Sequence, residues 1–177
     1  MSEVGEMIRL HGPMVWRVIG RYVGGMGRSS ACEDCFQDVF VSALEVEARE
    51  KVRNWEGLLK RLAVSRSMLE LRRRITERRR LADTDCDEIP GRLAAEGQAA
   101  IGRELAAKLR QALADLPEQQ AVMFCLKYIE GMTYEEIGRQ LGLQASAAGV
   151  GIHRTKLRLR ELMGDEATEP SEVRHDQ

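Results

Sequence analysis

The chain has 177 residues, 44% of them hydrophobic and only 5% aromatic, with 27 Lys and Arg against 28 Asp and Glu. Such dense charge, with no run near the roughly 18 uninterrupted apolar residues of a membrane span, points away from a membrane protein. The early acids of MSEVGEMIRLHG and its lack of an apolar stretch point away from a secretory signal. Four cysteines then suit the reducing cytoplasm better than a disulfide framework, and three histidines leave little for metal or acid–base work.

Met7, Leu10, Met14, Val18 and Tyr22 recur at three- or four-residue spacing, which predicts a first helix ended by Gly24, Gly25 and Gly27. Ser29 or Ser30 is placed to cap a second, whose apolar stripe is Cys32, Cys35, Phe36, Val39, Phe40 and Ala43. A third helix is expected over 55–80, with Leu58, Leu59, Leu62, Leu69 and Leu71 toward the core. Residues 81–104 hold Asp83, Asp85, Asp87, Glu88, Pro90 and Gly91 and read as an acidic, flexible linker, partly helical at its end.

Beyond the linker Leu105, Leu109, Ala112, Leu113 and Leu116 repeat on one face, and Pro117 is placed to start another helix. Thr133 with Glu136 forms a capping box, Ile137 and Leu141 give the helix that follows its buried face, and Gly142 suits the left-handed position that ends it. Ser146 is then placed to cap a last helix through Ile152, Leu159 and Leu162. Two short helices about a glycine-containing turn are a helix-turn-helix, whose second helix enters the major groove of DNA. An ordinary helical hairpin with a basic face remains the plainer alternative.

Strand alternation and tight hairpin turns are missing. The expected fold is therefore all-α: two small helical domains, 1–80 and 105–163, joined by the flexible acidic linker 81–104 and followed by an acidic tail, 164–177, expected to be disordered.

The near-zero net charge hides a strong asymmetry. Residues 49–80 carry 12 basic and 4 acidic side chains, whereas 81–104 carry 2 and 6. A local excess of +8, densest at Arg72, Arg73, Arg74, Arg78, Arg79 and Arg80, suits a polyanion. It also suits the solvated end of a helix, where cations complement the dipole. Cys32 and Cys35 invite a zinc or redox reading with Cys86 or His11, but a structural zinc site wants four ligands and a redox pair wants a βαβ context. Spaced one helical turn apart beside Phe36 and Val39, they read as small buried residues. No metal, cofactor or small-molecule substrate is expected, and no constellation of nucleophile and base marks an enzyme.

The segment ALADLPEQQAVMFCLKYIEGMTYEEIGRQLG with the basic helix after it resembles region 4 of the bacterial RNA polymerase sigma-70 family. CEDCFQDVFVSAL resembles region 2.2 of the same family, and NWEGLLKRLAVSRSMLELRRR resembles regions 2.3–2.4. Two such units without an intervening region 3 resemble the small extracytoplasmic-function (ECF) group, over roughly residues 5–80 and 105–163.

The resemblance implies a cytoplasmic, dissociable, non-enzymatic subunit that directs promoter recognition and transcription initiation. Its implied partners are core RNA polymerase (the clamp helices of the largest subunit and the flap of the second largest), promoter DNA and an anti-sigma factor, with no membrane partner. Asp34, Gln37 and Asp38 stand at the polymerase-docking positions. Trp55, Lys60, Arg61, Ser65, Arg66, Arg72, Arg73 and Arg74 stand where the family holds the −10 element as a single strand, and Trp55 serves equally as a core residue. Thr133, Gln144, Ser146, His153, Arg154, Lys156 and Arg158 stand in the helix-turn-helix that meets the −35 element.

Departures are local. Relatives often carry an aromatic, an asparagine and an aspartate where this chain has Leu58, Ser65 and Leu69. Ala147, Ala148, Gly149 and Gly151 replace Thr-Val and basic residues. Since each interior glycine costs a helix about 1 kcal/mol against alanine, a frayed or weakly reading start to that helix is expected. A stand-alone helix-turn-helix regulator and a degenerate sigma-like module that binds polymerase or an anti-sigma protein are the alternatives.

Overall fold

The structure, a computed structural model, describes residues 3–23, 30–82 and 97–164. Seven helices make up the described chain: α1 (Glu3–Tyr22), α2 (Ser30–Glu47), α3 (Trp55–Ala82), α4 (Gly97–Asp115), α5 (Glu118–Tyr128), α6 (Tyr134–Leu141) and α7 (Ala145–Met163). No strand occurs among the described residues. Gly24 to Ser29, Cys86, most of the expected linker and the tail from Asp165 lie outside them.

At 28 residues, about 42 Å, α3 is the axis of the molecule. Asn54 starts it by accepting the Gly57 amide on Oδ1 at 2.9 Å. Leu58, Leu59, Ala63, Val64 and Met68 are buried along its first half, against Val15, Val18 and Ile19 of α1 and Val39, Phe40 and Ala43 of α2. Trp16 stacks on Phe36 at 4.7 Å between ring centres, joining α1 to α2. Leu69, expected in the core, is instead 54% exposed. Its neighbours one turn away, Arg66 and Arg73, already mark the solvent side, while Met68 fills the core in its place.

In the C-terminal half, Leu113, Leu116, Val122, Cys125 and Leu126 pack against Ile137, Ala148, Ile152 and Leu159. Leu105 shares the sequence stripe of α4 but is half exposed, because α4 meets its neighbours near its C-terminal end. The two halves are in contact: α3 packs against α4, α5 and α6 as well as α1 and α2.

Candidate nucleic-acid and polymerase interfaces

Three surfaces gather the candidate residues. On α2, Asp34, Gln37 and Asp38 are exposed at three- and four-residue spacing, the geometry of one helical face. Asp34 and Asp38 line a groove whose other wall is Arg66, Leu69, Glu70, Arg72, Arg73 and Thr76 of α3. The exposed Leu69 places an apolar contact beside two carboxylates. Sequence reading assigned it to the core because leucines are usually buried; the signal was its basic neighbours at i−3 and i+4.

The second surface runs along α3. Trp55 is partly buried in its first turn and packed on the core. Lys60 pairs with Glu56 at 2.6 Å. The half-buried Arg61 has its Nε buried without a partner among the described residues. Burial lowers its pKa, which the nearby Glu50 opposes.

Many remaining cations already have partners. Arg66 donates to Ser42 Oγ at 2.9 Å, and Arg74 to the Val23 carbonyl at 2.8 Å, holding the end of α1. Arg73 and Arg74 both clamp Glu70, each with one contact at 2.8 Å. Burial works against ionisation of Glu70, but these two hydrogen bonds prevail and hold its carboxyl below the ordinary glutamate range. Ser65 donates to Glu118 at 3.0 Å. Arg72 donates from Nε to the Ala114 carbonyl at 3.2 Å and from Nη2 to the Leu116 carbonyl at 2.9 Å.

The third surface is the helix-turn-helix. Thr133 accepts the Glu136 amide on Oγ1 at 3.2 Å, and Glu136 accepts the Thr133 amide at 2.8 Å, completing the capping box. The Thr133 amide and hydroxyl hold the Glu136 carboxyl below its usual range. Gly142 takes φ +67°, the left-handed conformation that ends α6. In the turn the Leu143 amide donates to the Gly138 carbonyl at 2.8 Å. A Cβ on Gly138 would lie 2.6 Å from the Leu143 carbonyl oxygen, so this close approach needs glycine.

One expectation about the last helix is corrected. Its N-cap is Gln144, with no side-chain capping bond, and Ser146 lies exposed within the first turn. The helix runs unbroken from Ala145 to Met163, through both glycines. Packing explains it. Ala148, Ile152, Thr155 and Leu159 bury one stripe, and a Cβ on Gly151 would meet Met123 Cε at 2.9 Å, so glycine lets α7 lie close on α5.

The opposite face presents His153, Arg154 and Arg158 exposed and Lys156 half-buried, and Arg158 pairs with Glu161 at 2.7 Å. Val150, 52% exposed, and Leu157, 45% exposed, flank Arg154 at four- and three-residue spacing. They were missed as candidates because attention fell on the cations, yet an apolar side chain can meet a thymine methyl.

The three described cysteines, Cys32, Cys35 and Cys125, are buried. Burial, with Glu70 and Cys32 nearby, pushes the Cys35 thiol up to about 11. Among the described residues no group of His, Cys, Asp or Glu is placed to hold a metal ion. No helix among them is long and apolar enough to cross a membrane.

Residues 106–159 match the family model for Sigma-70, region 4, the segment that forms the described helix-turn-helix. The sigma factor ShbA of Streptomyces griseus is 32% identical over 136 residues, covering 73% of this chain and 70% of that protein. The chain belongs to the ECF RNA polymerase sigma factors.

Sigma factors direct transcription initiation and are specificity subunits, not enzymes. SigE of Mycolicibacterium smegmatis is 28% identical over 97% of this sigma factor, which spans 66% of the length of that relative. SigW of Bacillus subtilis is 21% identical over 90% of this chain and 88% of its own. The solved structure of RpoE of Bartonella quintana, in complex with the anti-sigma factor NepR, shares the fold at TM-score 0.54 and 17% identity, over 95% of this chain and 100% of that one.

Proposed function

We propose that this ECF sigma factor joins core RNA polymerase reversibly in the cytoplasm and directs it to promoters read at two places. Residues 1–80 form the polymerase-docking and −10 unit, residues 105–163 form the −35 unit, and 81–104 join them. Asp34, Gln37 and Asp38, with Leu69 beside them, dock on the basic clamp helices of the largest subunit. The polymerase flap holds the C-terminal unit. Lys60, Arg61, Ser65, Arg66 and Arg72 to Arg74 hold the melted strand, on which Trp55 stacks. Arg154, His153 and Lys156 of α7 enter the major groove, where Val150 and Leu157 add apolar contacts.

Two weak readers held on one enzyme reach high combined affinity, because the second contact forms at high effective concentration. An anti-sigma protein is the further partner such a factor has, as the relative from Bartonella does.

The observation that carries this reading is the coincidence, in one chain, of an exposed acidic face on α2 and a capped helix-turn-helix presenting cations on α7. The test is co-elution with bacterial core polymerase, followed by run-off transcription. Wild type binds and Asp34→Arg/Gln37→Ala does not. Binding without initiation marks a degenerate module, and DNA binding with no polymerase binding marks a stand-alone regulator.

A further inference from the structure

A cleft at the start of α3 belongs neither to the α2 docking face nor to the α7 cations, yet it has the make-up of an anion receptor. Its volume, about 390 Å³, falls within the roughly 300–1,000 Å³ of small-ligand sites. Lys51 and Arg53 of the α2–α3 connection, Arg61 of α3 and Arg139 of α6 line it. Against these four cations stand two carboxylates, Glu50 and Glu136, and Glu136 is already engaged by the Thr133 amide and hydroxyl. The balance is positive, in a concave site whose walls focus the field. Because α3 begins here, the positive end of its dipole adds to that field.

The state of these cations differs from that of their neighbours on α3. Arg66, Arg72, Arg73 and Arg74 each donate to an acceptor of the chain. Lys51 and Arg53 are exposed and have no ion-pair partner among the described residues. Arg61 keeps its Nε buried with no acceptor among them, and a buried donor of this kind calls for one. Across the cleft Arg139 donates Nε to the Glu135 carbonyl at 3.3 Å, which anchors its guanidinium there.

The cleft is not polar throughout. Leu58 is buried in its wall, and Val46 and Val52 are partly buried beside it. A bare inorganic anion would leave that apolar wall uncovered. Four cations also exceed what a single phosphate group needs, whereas a diphosphate spreads its charge over two.

We propose that this cleft binds a small organic phosphate of the nucleoside diphosphate class, with Lys51, Arg53, Arg61 and Arg139 on the phosphates and Val46, Val52 and Leu58 against the organic body. Arg61 is shared with the strand-holding set proposed above, but Lys51, Arg53 and Arg139 are not, so the site does not stand or fall with that reading. The ligand touches the α2–α3 connection and α6 together, and it stabilises the folded chain by mass action.

The experiment is isothermal titration calorimetry on the full chain in magnesium-free buffer. The probes are ADP, pyrophosphate and adenosine, with a single-stranded oligonucleotide of mixed sequence as the other source of phosphate. One equivalent of ADP is expected to bind, more tightly than pyrophosphate, and adenosine is expected to give no signal. Lys51→Gln/Arg53→Gln should weaken ADP binding about tenfold or more, since two charge-assisted contacts are lost. Both side chains are exposed, so the ligand-free melting curve by circular dichroism should match wild type. If it does not, Arg139→Gln takes the same reading from the opposite wall.

Arg17→Gln/Arg78→Gln removes the same charge from exposed positions outside the cleft and should leave ADP binding as in wild type. No ADP binding by wild type, ADP binding no tighter than pyrophosphate, or equal losses in the two double variants overturns the proposal. So does an oligonucleotide that binds and is lost in Lys51→Gln/Arg53→Gln while ADP gives no signal, which makes the cleft part of the DNA path. Co-elution with polymerase reads the sigma assignment separately, since no residue of this cleft lies on the docking face.

Discussion

The basic faces of α3 and α7 look alike as strings of arginine and lysine, yet they differ in what their cations touch. On α3, Arg72 holds the end of α4, Arg73 and Arg74 grip Glu70, Arg66 reaches Ser42 and Arg79 meets Asp115. On α7, His153 and Arg154 stand exposed, and Arg158 pairs with Glu161 of its own helix. A charge count measures attraction to a polyanion at long range; it does not say whether a donor must first leave a partner. The α7 face is ready to bind, whereas the α3 face is partly held by the rest of the chain.

The sharpest way to break this contrast is to disturb what presents α7. Gly138→Ala sets a methyl against the Leu143 carbonyl oxygen, and the turn must shift to accept it. A loss of about 1–3 kcal/mol is expected by urea unfolding, with weaker duplex binding. An unaltered unfolding midpoint would show that the turn is soft.

Arg72→Ala comes next, at about 1–2 kcal/mol, since a charged donor is lost to two helix-end carbonyls in a half-buried setting. Thr133→Ala should cost about 1 kcal/mol by removing one arm of the capping box. A smaller effect separates the faces cleanly. Arg154→Ala leaves stability within about 0.5 kcal/mol of wild type. It lowers the logarithmic salt slope of promoter binding by about one. Were Arg72→Ala as silent in stability as Arg154→Ala, the contrast between the faces would collapse.

Acid sharpens the α3 side further. The carboxyl of Glu70 is held below its ordinary range, so the clamp's contribution is complete above the unfolded glutamate pKa of about 4.3 and is lost as pH falls through the lower folded value. Unfolding measured against pH should therefore show a flatter acid limb for Glu70→Gln than for wild type.

Local chemistry was legible along the chain. Gly142 ends a helix, and Thr133 with Glu136 starts one, because caps are satisfied by residues a few positions away. The stripe of Cys32, Cys35, Val39, Phe40 and Ala43 is buried as its spacing demands. Leu69 was misread because a run of leucines does not say which face of a helix its neighbours cover. Ser146 was passed over as a cap because Gln144 already had the extended backbone that precedes α7. Nothing in the sequence linked Arg21 and Tyr22 to Glu130, since contacts between residues more than a hundred positions apart have no local period.

The order of residues alone determined seven helices' worth of apolar spacing, the capped turn that presents α7, the acidic face of α2 and the basic run of α3, all set by neighbours within one or two turns. Tertiary structure decided which cations are engaged, where Leu69 points, why Gly151 is tolerated in α7 and that α3 is shared between both halves. Those outcomes depend on surfaces brought together from distant parts of the chain, where burial and an available acceptor, rather than charge or propensity, set the energy of each side chain.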